Sequence, residues 1–377
     1  MIKQPKFRLI YNGVDITSAF DMWPTEVEYT DKRHGESDEA TVKVHNTGGR
    51  WFDDWAPEEG IKFKLWYGYE GNLVYAGEFT VSEDEAEGDT SGDTVNFKGL
   101  AAPNSQALRT KNHTAYEQQS LKEIVNKVAQ KHNLKVEGEI EDIQFERVTQ
   151  NGERDLEFLK RLADDYGHYF TVKGGRLVFT SRDGLRARDP VRILDLEQGP
   201  GAEIIRYSLK NSDYKAAQKA KVKYHHAKRK KIVGAEASTV DDLGLTTASG
   251  DVVKIDVRVE NTEQARRVAK SRLDKKNAAK VSGEFELVGD PLLVAGQVIE
   301  LKNFGKWDGR WLITKSKHSM KRSGYTTAIS IERITDKQRE NGKAIRSKAK
   351  KAGKSGGSSG DNVDDLGVMN ENGVLKK

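Results

Sequence analysis

Three clusters in this 377-residue chain carry reactive or ligating residue types. His225 and His226 run into Lys228, Arg229, Lys230 and Lys231. Adjacent side chains of an extended segment point to opposite faces, so one metal ion does not take both imidazoles. The neighbouring cations also oppose a further cation. The run reads as a solvated loop or a partner contact, or else as a non-specific phosphate contact. Only Tyr224 offers a ring there for base stacking. Asp53-Asp54 and Glu58-Glu59 flank Trp55 and Pro57. Paired carboxylates can hold a cation or act as an acid/base couple. Adjacent carboxylates rarely converge, so an exposed turn is the plainer reading. Glu83 to Asp89 is an acidic run, suited to a loop tip held in water or to steering a basic partner.

Composition narrows the classes further. The chain has no cysteine, which removes disulfides, thiolate catalysis and zinc-thiolate sites together. None of the eight histidines falls in an H-E-x-x-H spacing, and there is no G-x-S-x-G, Walker or dinucleotide-binding glycine pattern. The expectation is a non-enzyme with no catalytic residue, no cofactor and no metal. Net charge is +5 and mean hydropathy −0.73. No apolar run is long enough to cross a membrane, so membrane insertion is not expected. Met1 to Pro5 opens no apolar signal core, so a cleaved leader is not expected either. Of six tryptophans, Trp66 and Trp311 sit on strands and are expected in cores; Trp23 sits in no motif. Trp51 and Trp55 either pack a loop or anchor a partner, as aromatic residues do at interfaces.

The positioning elements are mainly β. Residues 1–101 alternate apolar and polar side chains in about six short strands, a pattern of sandwiches and small barrels. Asn12-Gly13 marks a hairpin, since both residues tolerate positive φ. Residues 102–186 form an α+β insert. Ser120 and Glu123 make a capping box, Leu121, Ile124, Val125, Val128 and Ala129 recur at helical spacing, and Asn133 ends that helix. A second helix carries Leu156, Leu159, Leu162, Ala163 and Tyr166 on one stripe, with Gly167 after it. A hairpin from His168 to Thr180 turns at Gly174-Gly175. Residues 187–335 return to β, with strands expected at 191–194, 203–209, 221–224, 252–259, 283–287, 297–301, 311–317 and 326–334. One helix, capped by Asn261, interrupts them. Residues 336–377 read as a flexible tail: a basic stretch without an apolar stripe, a Gly/Ser linker at 356–360, and an acidic-apolar peptide.

The stretch from Gln150 through Asp155, Phe158, Leu159, Leu162, Tyr166 and Gly167 resembles phage late control protein D, the tail baseplate hub family of contractile-tailed phages and tailocins. The likeness continues at Pro5 to Thr17, Gly77 to Val81, Lys98 to Ala102 and Ser120 to Leu134. Late in the chain it includes Pro291 and Gly296, then Gly309, His318, Gly324 and Tyr325. It spans about residues 5–335 and extends to the amino-terminal half of type VI secretion spike proteins.

That resemblance implies a structural protein with two tube-like β-barrels per chain, residues 1–101 and 187–335, around the small insert. It implies a homotrimer between a six-fold tail tube and a three-fold spike. Its partners would be the tail tube, spike and tape measure proteins and other baseplate proteins, with DNA passing through the lumen. The place would be the virion tail, assembled in the host cytoplasm. No spike helix or lysozyme-like segment is expected within the chain. Two rival readings are a tail-tip cell-wall hydrolase and a DNA-contacting tail protein that uses Lys228 and Arg229.

Overall fold

The computed structural model describes residues 4–17, 24–32, 34–35, 37–90, 92–101, 110–173, 175–198, 204–213, 216–226 and 230–355. The first β section holds β1 (Pro5–Tyr11), β2 (Val14–Asp15), β3 (Pro24–Lys32), β4 (Glu39–His45), β5 (Lys62–Tyr69), β6 (Asn72–Asp89) and β7 (Gly92–Leu100). Asn12 and Gly13 both take positive φ and join β1 to β2. The middle holds β8 (Lys111–Ser120), α1 (Leu121–Lys131), β9 (Lys135–Glu137), β10 (Gln144–Arg154), α2 (Asp155–Tyr166), β11 (His168–Lys173), β12 (Arg176–Ser181) and α3 (Arg182–Arg186). Then come β13 (Pro190–Asp195), β14 (Ile204–Asn211), β15 (Lys219–His226), β16 (Lys231–Ser238), β17 (Val252–Ile255) and α4 (Thr262–Asn277). The chain closes with β18 (Val281–Val288), β19 (Val298–Lys302), β20 (Gly309–Lys321), β21 (Gly324–Arg333) and α5 (Asp336–Ser355).

One 13-stranded sheet takes strands from both ends of the chain. Its main path runs β14-β18-β21-β20-β3-β4-β7-β6-β5-β1-β2, with β19 on β20 and β13 parallel to β19. The seam is β3 against β20, where Val27 faces Met320, Tyr29 faces His318 and Asp31 faces Ser316. A bulge in β20 between Ile313 and Lys315 shifts the register against β21. Trp311 and Ile313, on one side of it, line a core with Phe285, Ile329 and Ile331. Met320, on the other side, lines a second core with Val27, Tyr29 and the rings of Phe63, Phe79 and Phe97. In that second core Gly99 lies against Phe63, whose Cε1 would stand 2.4 Å from any added Cβ.

A third core lies between helices α1, α2 and α4 and the sheets β9-β12-β11 and β16-β15-β17. Its caps match the sequence reading. Ser120 and Glu123 form the capping box, Asn133 has φ of 54°, and Gly167 takes the left-handed conformation. Two expectations need correction. Residues 216–277 do not belong with the sheet that follows them, because Ala217, Val222, Val268 and Leu273 pack into the same core as Phe158 and Phe179. The chain leaves this unit for β13 and β14 and then returns, so a boundary at residue 186 cuts a continuous core.

The tail is also corrected in part. Residues 336–355 form α5, docked on α3, while 356–377 lie outside the described residues. The contact uses a glycine and polar groups, so no apolar stripe announces it. An added Cβ on Gly342 would stand 1.8 Å from the carbonyl oxygen of Asp183. Gln338 is buried and donates to Asp274 at 3.0 Å. Gly342→Leu is therefore expected to lower stability by about 1–3 kcal/mol through overpacking. Lys343→Leu, at an exposed neighbour, should stay within about 0.5 kcal/mol. Urea unfolding of both variants checks this.

Candidate functional site: the polar joints between the sheet and the helical unit

The residues with apparent chemistry do not converge. Asp53, Asp54, Glu58 and Glu59 are exposed, and among the described residues no group of three or more His, Asp or Glu is placed to hold a metal ion. His225 lies on β15 opposite Ile232, while Lys228, Arg229 and Trp23 lie outside the described residues. Of the two readings left open for Trp51, the fold shows the packing one. It is 4% exposed and stacks on Phe97 at 5.6 Å. Trp55 is half-buried edge-on to Trp51, so the ring this loop offers outward is Phe52. The acidic run is no loop tip, because β6 continues through it paired to β7.

The unusual feature is buried charge where the helical unit meets the sheet. Alternation along β3 turns Val27, Tyr29 and Asp31 inward. Asp31 thus reaches the interior, where Lys173 from the end of β11 meets it at 2.7 Å and Asp38 lies 3.8 Å from the same ammonium. The Tyr29 hydroxyl and Lys32 N–H donate to Asp38 at 2.9 and 3.1 Å, and the Ala295 N–H donates to Asp31 at 3.1 Å. Burial first, then the charge of Asp31, pushes the Asp38 carboxyl up to about 7. Burial disfavours the Lys173 ammonium, but Asp31 and Asp38 outweigh it and its pKa is raised. One cation thus ties β11 of the helical unit to β3 and to the 290–296 loop.

A second joint centres on Arg186, whose side chain is 2% exposed. Its guanidinium donates to Asp274 of α4 at 2.9 Å, Glu332 of β21 at 3.0 Å and Asp183 at 3.2 Å. The Tyr169 hydroxyl also donates to Glu332, at 3.2 Å. Arg182 donates to Asp164 of α2 at 3.0 Å. The same carboxylate takes Lys275 at 2.7 Å and His34 Nε2–H at 3.0 Å. The His34 tautomer follows from its other nitrogen, which accepts from the Phe170 N–H. Burial raises the Asp164 pKa, but the bonds from His34 and Lys275 outweigh it and hold the carboxyl below its ordinary range.

Part of the hub resemblance lies beside the first of these joints. His318 is fully buried beneath Tyr29 and Tyr67. Ser316 donates to the Leu293 carbonyl, so it accepts from His318 Nε2–H at 3.0 Å. Nδ1 then accepts from the Tyr325 hydroxyl at 2.7 Å. Pro291 and Gly296 bound a loop gripped from several sides. Tyr67 donates to its Pro291 carbonyl, Tyr69 to the Gly289 carbonyl just before it, and the Gly296 N–H donates to the Ile313 carbonyl. Gly296, Gly309 and Gly324 all take positive φ, the last in the β20–β21 turn.

Gln150 and Asp155 form a separate clamp at the start of α2. Asp155 accepts from Gln150, Asn112 and His132 and pairs with Lys131 at 2.7 Å. Burial raises the Asp155 pKa, but these donors outweigh it and the net shift is downward. Phe158, Leu159, Leu162 and Tyr166 are buried on one stripe of α2, and Gly167 closes it. Lys173, Asp31, Asp38, Arg186, Asp274 and Glu332 went unnoticed in the sequence. Their signal was a charge standing at an inward position of an alternating strand or an amphipathic helix.

Two expectations follow for stability. Lys173→Met leaves Asp31 and Asp38 buried without their cation and should cost about 3–5 kcal/mol, read by denaturant unfolding. The pH dependence has two opposing parts. Burial pulls His168 down to about 4 and His318 to about 3, so unfolding binds their protons as pH falls below 6.5. That loss is opposed by Asp38, whose raised pKa makes the folded form bind its proton between 3.8 and about 7. The balance is a loss of about 1.4 kcal/mol per pH unit on going from 6 towards 5, one net proton. Asp38→Asn should about double that slope and His318→Gln should flatten it, in Tm measured against pH.

Comparison with known proteins bears on what such a scaffold is. Residues 81–324 match the family described as phage tail baseplate hub (GPD). A probable baseplate hub protein of Escherichia phage 186 is 25% identical over 87% of this chain and 92% of its own. The 43 kDa tail protein of prophage MuSo2 from Shewanella oneidensis overlays with a TM-score of 0.66 at 17% identity, covering 88% of this chain and 98% of that one. An Escherichia coli type VI secretion component overlays at 0.53 with 12% identity, covering 87% and 77%. The family's role is structural rather than catalytic, in the tail of the virion. With more than half of its length matched by that family, the chain belongs to the phage tail baseplate hub (GPD) family.

Proposed function

We propose that three copies of the chain form the adaptor of a contractile tail, mating a six-fold tail tube to a three-fold spike. The observation that carries this reading is the β3–β20 seam. It makes two β sections, each with its own core, parts of one hydrogen-bonded sheet. Read as two tube-like barrels, they give three copies six related surfaces towards the tube and three towards the spike. The helical unit, residues 111–186 with 216–277, braces both sections through the Lys173 and Arg186 joints. Such a part has to hold shape under load, and buried ion pairs with fixed geometry serve orientation better than they serve stability. The partners are the tail tube, spike and tape measure proteins and other baseplate proteins, with DNA passing through the lumen.

No observation favours the hydrolase reading, since Asp53, Asp54, Glu58 and Glu59 all stand exposed. No described helix is long and apolar enough to cross a membrane. The test is sedimentation of the purified chain together with a reconstruction of the tail tip. A trimer between tube and spike, with obligate interfaces of about 2,000 Å² or more, is expected. A monomer missing from purified tails would overturn the reading.

A further inference from the structure

The acidic and basic runs are not used by the buried joints, yet the fold turns each into a regular surface. Glu83 to Asp89 form the distal half of β6, exposed on both faces. Alternation places Glu83, Glu85, Glu87 and Asp89 on one face, opposite Lys98, Asn96, Thr94 and Gly92 of β7. Glu87 pairs with Lys43 at 2.8 Å, while Glu83 and Glu85 form no ion pair with any described residue. The second surface is the outer face of the β16-β15-β17 sheet. Its inner face, including Ala220, Val222 and Ala237, is core. Its outer face carries Lys219, Lys221 and Lys223 on β15, with Lys254 of β17 beside Lys221. One glutamate, Glu236, takes Lys219 and Lys221 at 2.8 and 2.9 Å. Lys223 and Lys254 form no ion pair with any described residue.

We propose that the carboxylate row of β6 in one copy docks on the lysine face of β15–β17 in the next copy. The proposal rests on the trimeric reading and assigns its contact. Both rows put charge at every second residue of a strand, so both repeat at roughly 7 Å and match in register. No ion pair between described residues joins the two surfaces within one chain. Two different patches of the same chain that complement each other make a head-to-tail contact, the kind that closes a ring. Nucleic acid would satisfy the lysine face but leave the carboxylate row unmatched, whereas a second copy satisfies both. Each exposed pair is weak and screened by salt, so the rows act mainly by steering and register.

The experiment uses the full chain with Glu83→Lys/Glu85→Lys, Lys223→Glu/Lys254→Glu, and all four changes together. All sites are exposed, so circular dichroism and Tm should match the parent. A Glu83→Gln/Glu85→Gln chain provides the milder variant should a reversal misfold. Sedimentation at about 0.15 M salt should show each single-surface reversal weakening association on the order of tenfold or more. The four-site chain should return close to the parent. If single-surface reversals associate like the parent, this contact is overturned while the trimeric reading stands. Weakening that the four-site chain does not restore also overturns it, because the rows then do not face each other. If the parent is monomeric, both readings fall together. If Lys223→Glu/Lys254→Glu abolishes retention of short duplex DNA without changing the trimer, the face serves a polyanion and the docking is overturned.

Discussion

The ammonium of Lys173 sits between the largely buried carboxylates of Asp31 and Asp38. Desolvation makes that arrangement costly, and it holds only while all three groups stay together. Lys173 ends a strand of the helical unit, Asp31 belongs to the seam strand, and Asp38 leads into its neighbour β4. A shift of one unit against the other would strand a charge in a low dielectric. The triad therefore fixes a single seating of the helical unit on the sheet, as apolar packing alone does not.

The apolar cores and the polar joints divide the work. The three large cores supply the bulk of the driving force, since burying one large apolar side chain contributes about 1.5–3 kcal/mol. They tolerate small adjustments of packing. The joints tolerate fewer, because a misaligned donor leaves a buried partner unsatisfied. Arg186 reaches α4 and β21 at once, and Arg182 reaches α2 from the same short helix. Docking of α5 then covers Asp183 with Gly342 and ties Asp274 through Gln338. Helix α3, five residues long, is thus held from several directions. Such seating keeps the two β sections of the hub in one fixed relation.

Much of the local structure was legible. The capping box at Ser120, the left-handed Gly167, the Asn12-Gly13 turn and the stripe of α2 each depend on neighbours within a few residues. Strands β18 to β21 showed by alternation for the same reason. Other elements were hidden. The β8–β10 ribbon is largely exposed on β8, so it lacks an apolar rhythm. Helix α5 docks through glycine and amide groups. The shared core of residues 121–179 and 217–273 depends on a return of the chain that no local pattern records.

The sequence by itself determined which segments bend, cap, alternate and stripe, because those preferences arise from φ restrictions and side-chain period within single elements. It also excluded thiol chemistry and carried enough ordered motifs to point towards a tail hub. Tertiary structure alone decided that two β sections share one sheet and that Trp51 faces inward. It also decided that Lys173 meets aspartates more than 130 positions away. Contacts at that separation follow from packing whole elements under the demand that every buried charge find a partner, and that demand is met only once the chain is folded.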